Sequence, residues 1–326
     1  MTTRERELAI DTRGLTKQFD RYLAVAGLDL QVEMGEVYGL IGPNGAGKTT
    51  LIRMLAAAEE PTAGEIYING EPLHRDRHHA TLKRHIGYLP DDFPLYDDLC
   101  VWDYLDYFAR LYELRDPVRS RRLYDVLELV QLVPKRRSLI STLSRGMKQR
   151  LSLARTIIHE PILLLLDEPV SGLDPIARMQ FREIIKVLRE AGMTILISSH
   201  VLSDLAELCT SVGIMELGYL VESTSLSQLY QRLSRQYVHL TVLGNCNDLI
   251  AELKHHPAAK EWEIIPQTPN SQTQTQTVRV RFEGNLDDRA NLLKSIVSAG
   301  IPLTEFHNTQ EDLESIFLKL GHQQAS

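Results

Sequence analysis

The sequence predicts a layered α/β domain followed by a smaller α+β domain, and three observations carry that expectation. Gly42-Pro43-Asn44-Gly45-Ala46-Gly47-Lys48-Thr49-Thr50 matches the spacing G-x-x-x-x-G-K-[ST] between an apolar run and a helix-forming one. From Leu15 to about Val221, short strand-like runs alternate with longer helical ones. After Gly218 the composition shifts to alternating, half-polar runs. With 326 residues, the chain is long enough for two domains. They are placed at residues 1–222 and 223–326.

The elements follow in order. Leu28-Asp29-Leu30-Gln31-Val32 alternates, as an antiparallel strand does. Val37 to Ile41 is an apolar strand ending at the glycine-rich loop, and Leu51 to Ala58 continues as a helix. Ile66-Tyr67-Ile68 is a short strand entered from a turn at Pro61 to Gly64. Val101 to Val130 is helical, interrupted by Pro117, with Trp102, Leu105, Phe108, Ala109 and Tyr112 on one face. Ile162 to Leu166 is the uninterrupted apolar run of a parallel strand covered on both faces. A helix from about Met179 to Ala191 leads to a second buried strand, Thr194 to Ile197.

Beyond Gly218, Gln236 to Thr241 and Val278 to Phe282 alternate like half-exposed strands. Leu249 to Lys254, Arg289 to Ala299 and Asp312 to Leu320 have amphipathic helical spacing, and Pro266 to Thr277 is a loose polar loop. The order strand, helix, strand, strand, helix, strand, helix suggests a ferredoxin-like α+β domain.

Composition narrows the function. A formal net charge of −7 argues against non-specific nucleic-acid binding. Cys100, Cys209 and Cys246 stand singly, as small hydrophobes of a reducing compartment. No run approaches the ~18–20 apolar residues of a membrane span, and the charged N-terminus lacks a signal peptide's apolar core. The expected location is cytoplasmic. His74, His78, His79 and His85 have no acidic or cysteine partner at ligand spacing and read as a solvated loop, as does the Lys135-Arg136-Arg137 turn.

The chemistry gathers around the phosphate loop. Gly45 and Gly47 let the backbone approach phosphate oxygens while the helix N-terminus faces their charge, so the chain binds a nucleoside triphosphate. Asp167 and Glu168 end the Leu-rich strand, where ligands of α/β folds collect. The first suits a Mg²⁺ shell and the second can deprotonate a water; the plainer alternative is a helix cap beside a solvated acid. Ser144 can cap the helix Leu151 to Ile158 from Leu143-Ser144-Arg145-Gly146-Met147, with Gly146 leaving N–H groups open to an anion. His200 can donate to a γ-phosphate, but taken alone reads more simply as a strand-end histidine.

Together these strings resemble the ATP-binding cassette (ABC) ATPase family over roughly two thirds of the chain, with six motifs in the family's order. The resemblance implies a P-loop NTPase cassette with a mixed core sheet, an antiparallel β subdomain and a helical subdomain. It implies that Gly42 to Thr50 wraps ATP. Lys48 would meet the β- and γ-phosphates, Thr49 would ligate Mg²⁺ and Thr50 would hold the α-phosphate. Asp167 would support the metal, Glu168 would be the general base and His200 would sense the γ-phosphate. Phe19 is the aromatic for adenine, with Tyr22 in reserve. Ser144, Arg145 and Gly146 of the signature, and Asp174 of the D-loop, would complete the site of a second copy.

Two residues depart from the pattern. Asp91 stands at the Q-loop position, where it can reach the metal shell through an oxygen but cannot donate as an amide does. The signature reads Leu-Ser-Arg-Gly-Met in place of Leu-Ser-Gly-Gly-Gln.

The resemblance further implies an ATPase that dimerises around two ATP, with itself or a related cassette. It would drive a separate permease from the cytoplasmic face. Phe93, Tyr96 and Trp102 would either meet that permease or fill the helical subdomain's core. Leu89 to Tyr96, the Arg-Gly-Met signature and Asp312 to Leu320 resemble multidrug- and antibiotic-type exporters. The alternative is a non-transport regulator that uses ATP-dependent dimerisation as a switch.

Overall fold

A computed structural model describes residues 7–73, 80–92, 94–201, 205, 207–233, 236–265 and 275–310. The chain divides into two compact units, residues 1–227 and 228–326.

The first unit holds two sheets. β1 (Leu8–Phe19), β2 (Tyr22–Glu33), β4 (Ala63–Ile68) and β5 (Glu71–Pro72) form an antiparallel sheet in the order β2-β1-β4-β5. The other sheet is mixed, in the order β10 (Tyr219–Ser225), β9 (Ser211–Glu216), β3 (Val37–Ile41), β8 (Thr194–Ser199), β7 (Leu163–Leu166), β6 (Ile86–Leu89). Its pairs are parallel except β10 with β9. β3 and β7 are buried at every residue, which explains their unbroken apolar runs.

One apolar core links the two sheets: Ile10, Leu28 and Ile66 from the first meet Leu40, Leu165 and Leu196 from the second. Leu51, Ile52 and Leu55 of α1 (Lys48–Leu55) lie in the same cluster. α2 is the short helix Ala80–Arg84.

The helical predictions hold in outline and shift at their ends. α3 (Val101–Leu111) and α4 (Val118–Leu129) flank Pro117, and α5 (Arg145–Ile157) follows Ser144. α3 buries Val101, Tyr104, Leu105 and Ala109 but leaves Trp102 half-buried against Tyr124, with ring centroids 4.9 Å apart. Tyr96 is 48% exposed, yet packs on Tyr104, Tyr107 and Phe108. Phe93 lies outside the described residues.

α6 spans Pro175–Glu190, starting four residues before the expected Met179. Asp174 accepts from Ala177 N at 2.9 Å and Pro175 occupies the first turn, a start signal that sets the helix ahead of Met179, where Ala177 extends the buried face of Phe181, Ile184, Ile185 and Leu188 by one turn. Cys209 and Cys246 are buried. Cys100 is not a core residue: its sulfur caps α3, accepting from Asp103 N.

α7 is Leu226–Leu233. The second unit contains β11 (Gln236–Leu243), α8 (Asn247–His255), β12 (Ala259–Ile265), β13 (Thr275–Phe282), α9 (Leu286–Ser298) and β14 (Leu303–Gln310). Its antiparallel sheet runs β12-β13-β11-β14. Val238, Leu240, Val278, Val280 and Phe282 form a core with Leu249 and Leu253 of α8 and Leu292 and Ile296 of α9. An Asn285–Asp288 capping box opens α9.

Thr275, Gln276 and Thr277 were expected in a loop and instead begin β13. Thr277 hydrogen-bonds Thr241 across the ladder at 3.0 Å, and Gln276 Oε1 accepts from Cys246 N. The expected helix at residues 312–320 and the histidines at 74, 78 and 79 lie outside the described residues.

Candidate functional site

The register of the mixed sheet brings distant segments to one edge. Ile41 pairs with Ser199, Leu166 with Ile197 and Leu89 with Leu166. The chain leaves these neighbouring parallel strands in the same direction. Gly42, Asp167, His200 and, after Pro90, Asp91 therefore emerge side by side at the carboxyl edge.

The glycine-rich loop is closed by its own lysine. Lys48 Nζ donates to the carbonyls of Gly42 at 2.6 Å and Pro43 at 3.2 Å, and its side chain is only 6% exposed. Gly47, at φ 103°, is the N-cap of α1, supplies no side chain to it, and the first turn has no acid. The positive end of α1 is thus left to an external anion. Asn44, Gly45 and Thr49 are exposed, whereas Gly42, Ala46 and Lys48 are buried.

Neighbouring strands set the loop's shape. A Cβ on Gly47 would collide with the Ala24 carbonyl of β2, and one on Gly42 with the Met215 carbonyl of β9. Gly218 N donates to Ala46 O at 3.0 Å. Tyr22 donates its hydroxyl proton to Gly45 O at 2.9 Å. Phe19 is 42% exposed beside it, with Lys17 Nζ 4.6 Å from its ring centroid.

Asp167 and Glu168 differ in setting. Asp167 is buried; its Oδ1 accepts from Ser198 Oγ at 2.7 Å, while Oδ2 has no hydrogen-bond partner. Burial, with the Glu168 charge adding, pushes its pKa above the usual carboxylate value against the pull of Ser198, Thr49 and Lys48. Asp91 is raised as well, by burial first and then by Asp167, Glu168 and Asp92, with Arg145 opposing.

Glu168 adopts φ 47°, a strained conformation for a non-glycine residue. Its Oε1 lies 3.3 Å from Lys48 Nζ at ion-pair distance, and Oε2 lies 2.7 Å from His200 Nδ1. Its own N–H donates to Ser198 Oγ. Ser198 belongs to none of the motif positions, yet it braces both acids. Its place on β8 beside the end of β7 was the available signal.

Acids crowd this edge, with an orphaned buried oxygen among them, and that donor set fits a cation. Among the described residues, no three His, Cys, Asp or Glu side chains form a metal cage by themselves. A cation here would take its remaining ligands from phosphate and water, the usual arrangement for hard divalent ions at nucleotides.

The signature segment is occupied within its own chain. Ser144 caps α5, accepting from Met147 N at 3.3 Å. Gly146 is buried, and a Cβ there would stand 2.6 Å from that of Ala177. Arg145 Nη2 donates to Ser171 O at 3.1 Å. Among the described residues, none of these three hydrogen-bonds to the phosphate loop of the same chain. Asp174 is committed to capping α6.

The ABC transporter family profile matches residues 25–171. The chain is 34% identical over 316 residues to the bacitracin transport ATP-binding protein BcrA of Enterococcus faecalis, covering 96% of each chain. It is also 34% identical over 312 residues to BcrA of Bacillus licheniformis, covering 95% of this chain and 96% of that one. A solved structure described as the ATP binding subunit of an ABC transporter matches with TM-score 0.62 and 30% identity, covering 69% of this chain and 92% of the other. No helix among the described residues is long and apolar enough to cross a membrane. The loop, the acids at its edge and this similarity across nearly the whole length lead to one conclusion: the chain belongs to the ABC transporter family, as an ATP-binding and ATP-hydrolysing cassette.

Proposed function

We propose that two copies of this cassette, or one copy and a related cassette, close around two ATP and drive a separate membrane permease that exports its substrate. The observation that carries this reading is the Lys48–Glu168–His200 chain on the edge of the phosphate loop. It sets a base and an electrostatic contact beside the place where a γ-phosphate would lie. Similarity to bacitracin transport proteins over nearly the whole chain supports export of antibiotic-like molecules.

In this reading Mg²⁺, held by Thr49 and Asp167 with Asp91 at its shell, would neutralise charge on the phosphates. Lys48 exchanges its contact with Glu168 for phosphate oxygens. Glu168 then accepts a proton from the attacking water, and His200 holds its carboxylate in place. Phe19, with Tyr22 beside it, supports the adenine. Ser144 and Gly146 of one copy face the ATP of the other, with Asp174 fixing the adjoining helix. The element order of the second unit supports a ferredoxin-like accessory domain, with the domain boundary near residue 222.

The test is ATP hydrolysis by the full chain with and without Mg²⁺, in membranes carrying its co-purifying permease. Hydrolysis stimulated by the permease and abolished by EDTA is expected. A chain that binds ATP but never hydrolyses it in that setting would refute the transport reading.

A further inference from the structure

We propose that Arg145 is a positioning residue, a strut that locks the start of α5 to the Ser171–Asp174 turn so that signature and turn move as one block. This rests on the composite-site reading above, in which both segments face the nucleotide of a second copy.

Nothing in the helix itself favours an arginine here. Arg145 is the first residue of α5, where a cation faces the positive end of the helix dipole. Its guanidinium turns instead to the turn before α6, where Nη2 donates to the Ser171 carbonyl at 3.1 Å. A Cβ built on Gly172 would stand 2.6, 2.7 and 2.8 Å from Nη2, Cζ and Nη1. Three nearly equal distances mean that the broad face of the guanidinium covers the Gly172 Cα. Gly172 also has φ +65°, a backbone conformation that disfavours a side chain, and a methyl group there would displace the guanidinium from its place.

A second contact lies one residue on. Gly146 packs so closely on Ala177, in the first turn of α6, that only a glycine fits. Ser144 and Asp174, the caps of the two helices, are thereby held in fixed relation from both sides. Only a planar, multi-donor cation can both cover a Cα and donate to the preceding carbonyl; a lysine ammonium supplies charge without the plane. A change felt at the turn therefore reaches Ser144 through Arg145 without passing through the sheet.

The experiment is a double-mutant cycle on ATPase turnover by the full chain, using Arg145→Ala, Gly172→Ala and the double variant, with Arg145→Lys beside them. A fluorescent ATP analogue measures nucleotide affinity and checks that each variant folds. Expected is a roughly tenfold fall in kcat for each single variant, with analogue affinity held within about twofold. The double variant should be no worse than Gly172→Ala within about twofold, because Arg145→Ala removes a contact that the added methyl has already displaced. Arg145→Lys should not restore turnover.

Undiminished kcat in Arg145→Ala, full rescue by lysine, or losses that multiply in the double variant would overturn the strut. Ser144→Arg separates the two readings. If it also leaves turnover and ATP-dependent dimerisation intact, the composite site itself falls. If it abolishes both while Arg145→Ala does nothing, only the strut falls. Should Arg145→Ala misfold, Gly172→Ala combined with Arg145→Lys tests the same contact from the other side.

Discussion

Glu168 Oε2 and His200 Nδ1 stand 2.7 Å apart, joining the ends of β7 and β8 through a side-chain contact. The carboxylate is held at its other end by Lys48, 3.3 Å away. With Nδ1 committed to Glu168, the second ring nitrogen is the one left for a ligand.

Glu168→Gln keeps the shape of the side chain and its contact with His200, and removes the proton acceptor. ATPase activity should fall by about 10²- to 10⁴-fold while ATP binding persists. ATP-stabilised dimers should then accumulate on size-exclusion chromatography. Turnover close to wild type would show that the base lies elsewhere.

The phosphate loop should discriminate sharply between two of its glycines. Gly45 has φ 84° but no atom within 4 Å of a built Cβ, so Gly45→Ala should fold, at a cost of about 1–3 kcal/mol for the backbone conformation. Gly47→Ala would drive its methyl into the Ala24 carbonyl, displacing β2 or the loop. Loss of ATP-analogue binding and a lower urea midpoint than Gly45→Ala are expected. Equal midpoints would contradict the close approach.

Tyr22→Phe removes a single hydroxyl, the one bonded to Gly45 O. An exposed hydrogen bond contributes about 0.5–1 kcal/mol, so KM for ATP should rise about two- to fivefold with kcat unchanged. Phe19→Ala, which removes a ring that can stack on a base, should raise KM further. Steady-state kinetics over a range of ATP concentration distinguishes them.

His159 lies at a joint between the end of α3 and β6, and the cassette is expected to lose stability in acid there. Its ring stacks on Tyr112 at 4.0 Å, its Nε2 lies 3.2 Å from Ile86 O, and its Nδ1 is buried without a partner. Burial, with the Arg122 charge adding, lowers its pKa below the ordinary histidine value against the Ile86 carbonyl. Below that ordinary value the unfolded chain binds a proton that the folded chain refuses. Stability is therefore lost as pH falls through the ordinary histidine range, and the loss levels off below the folded pKa. His159→Phe keeps the stack and removes the proton site. Between about pH 7.5 and pH 5.5, its melting temperature should fall about 2–4 °C less than that of the wild type, read by scanning calorimetry.

Much of the site was legible because its parts are contiguous or end a strand. Gly42 to Thr50 carries its own strand–loop–helix context, and the apolar run before Asp167 announces a buried strand. What sequence could not reach are side chains that turn toward distant partners. Arg145 was placed with a nucleotide because its motif is; the structure places it on Ser171 and Gly172, 26 and 27 residues away in sequence. The Lys148–Asp97 ion pair at 2.8 Å, between α5 and the segment before α3, leaves no trace in periodicity. The early start of α6 differs: Asp174-Pro175 is a capping signal visible in the sequence, but the large apolar residues of the buried face begin only at Phe181. Thr275 to Thr277 misled for the opposite reason, since a low-complexity tract is polar whether or not its last residues join a ladder.

The hairpin between β9 and β10 changes what the phosphate loop is. Gly218 takes a bond from Ala26 N and gives one to Ala46 O, while Met215 and Ala24 stand where side chains on Gly42 and Gly47 would go. Grafting Gly42 to Thr50 onto a foreign strand and helix would therefore transfer the letters without the curvature. The smallest portable unit spans β2, β3, α1 and a hairpin some 170 residues downstream, so the nine-residue motif is inherited only along with most of the cassette.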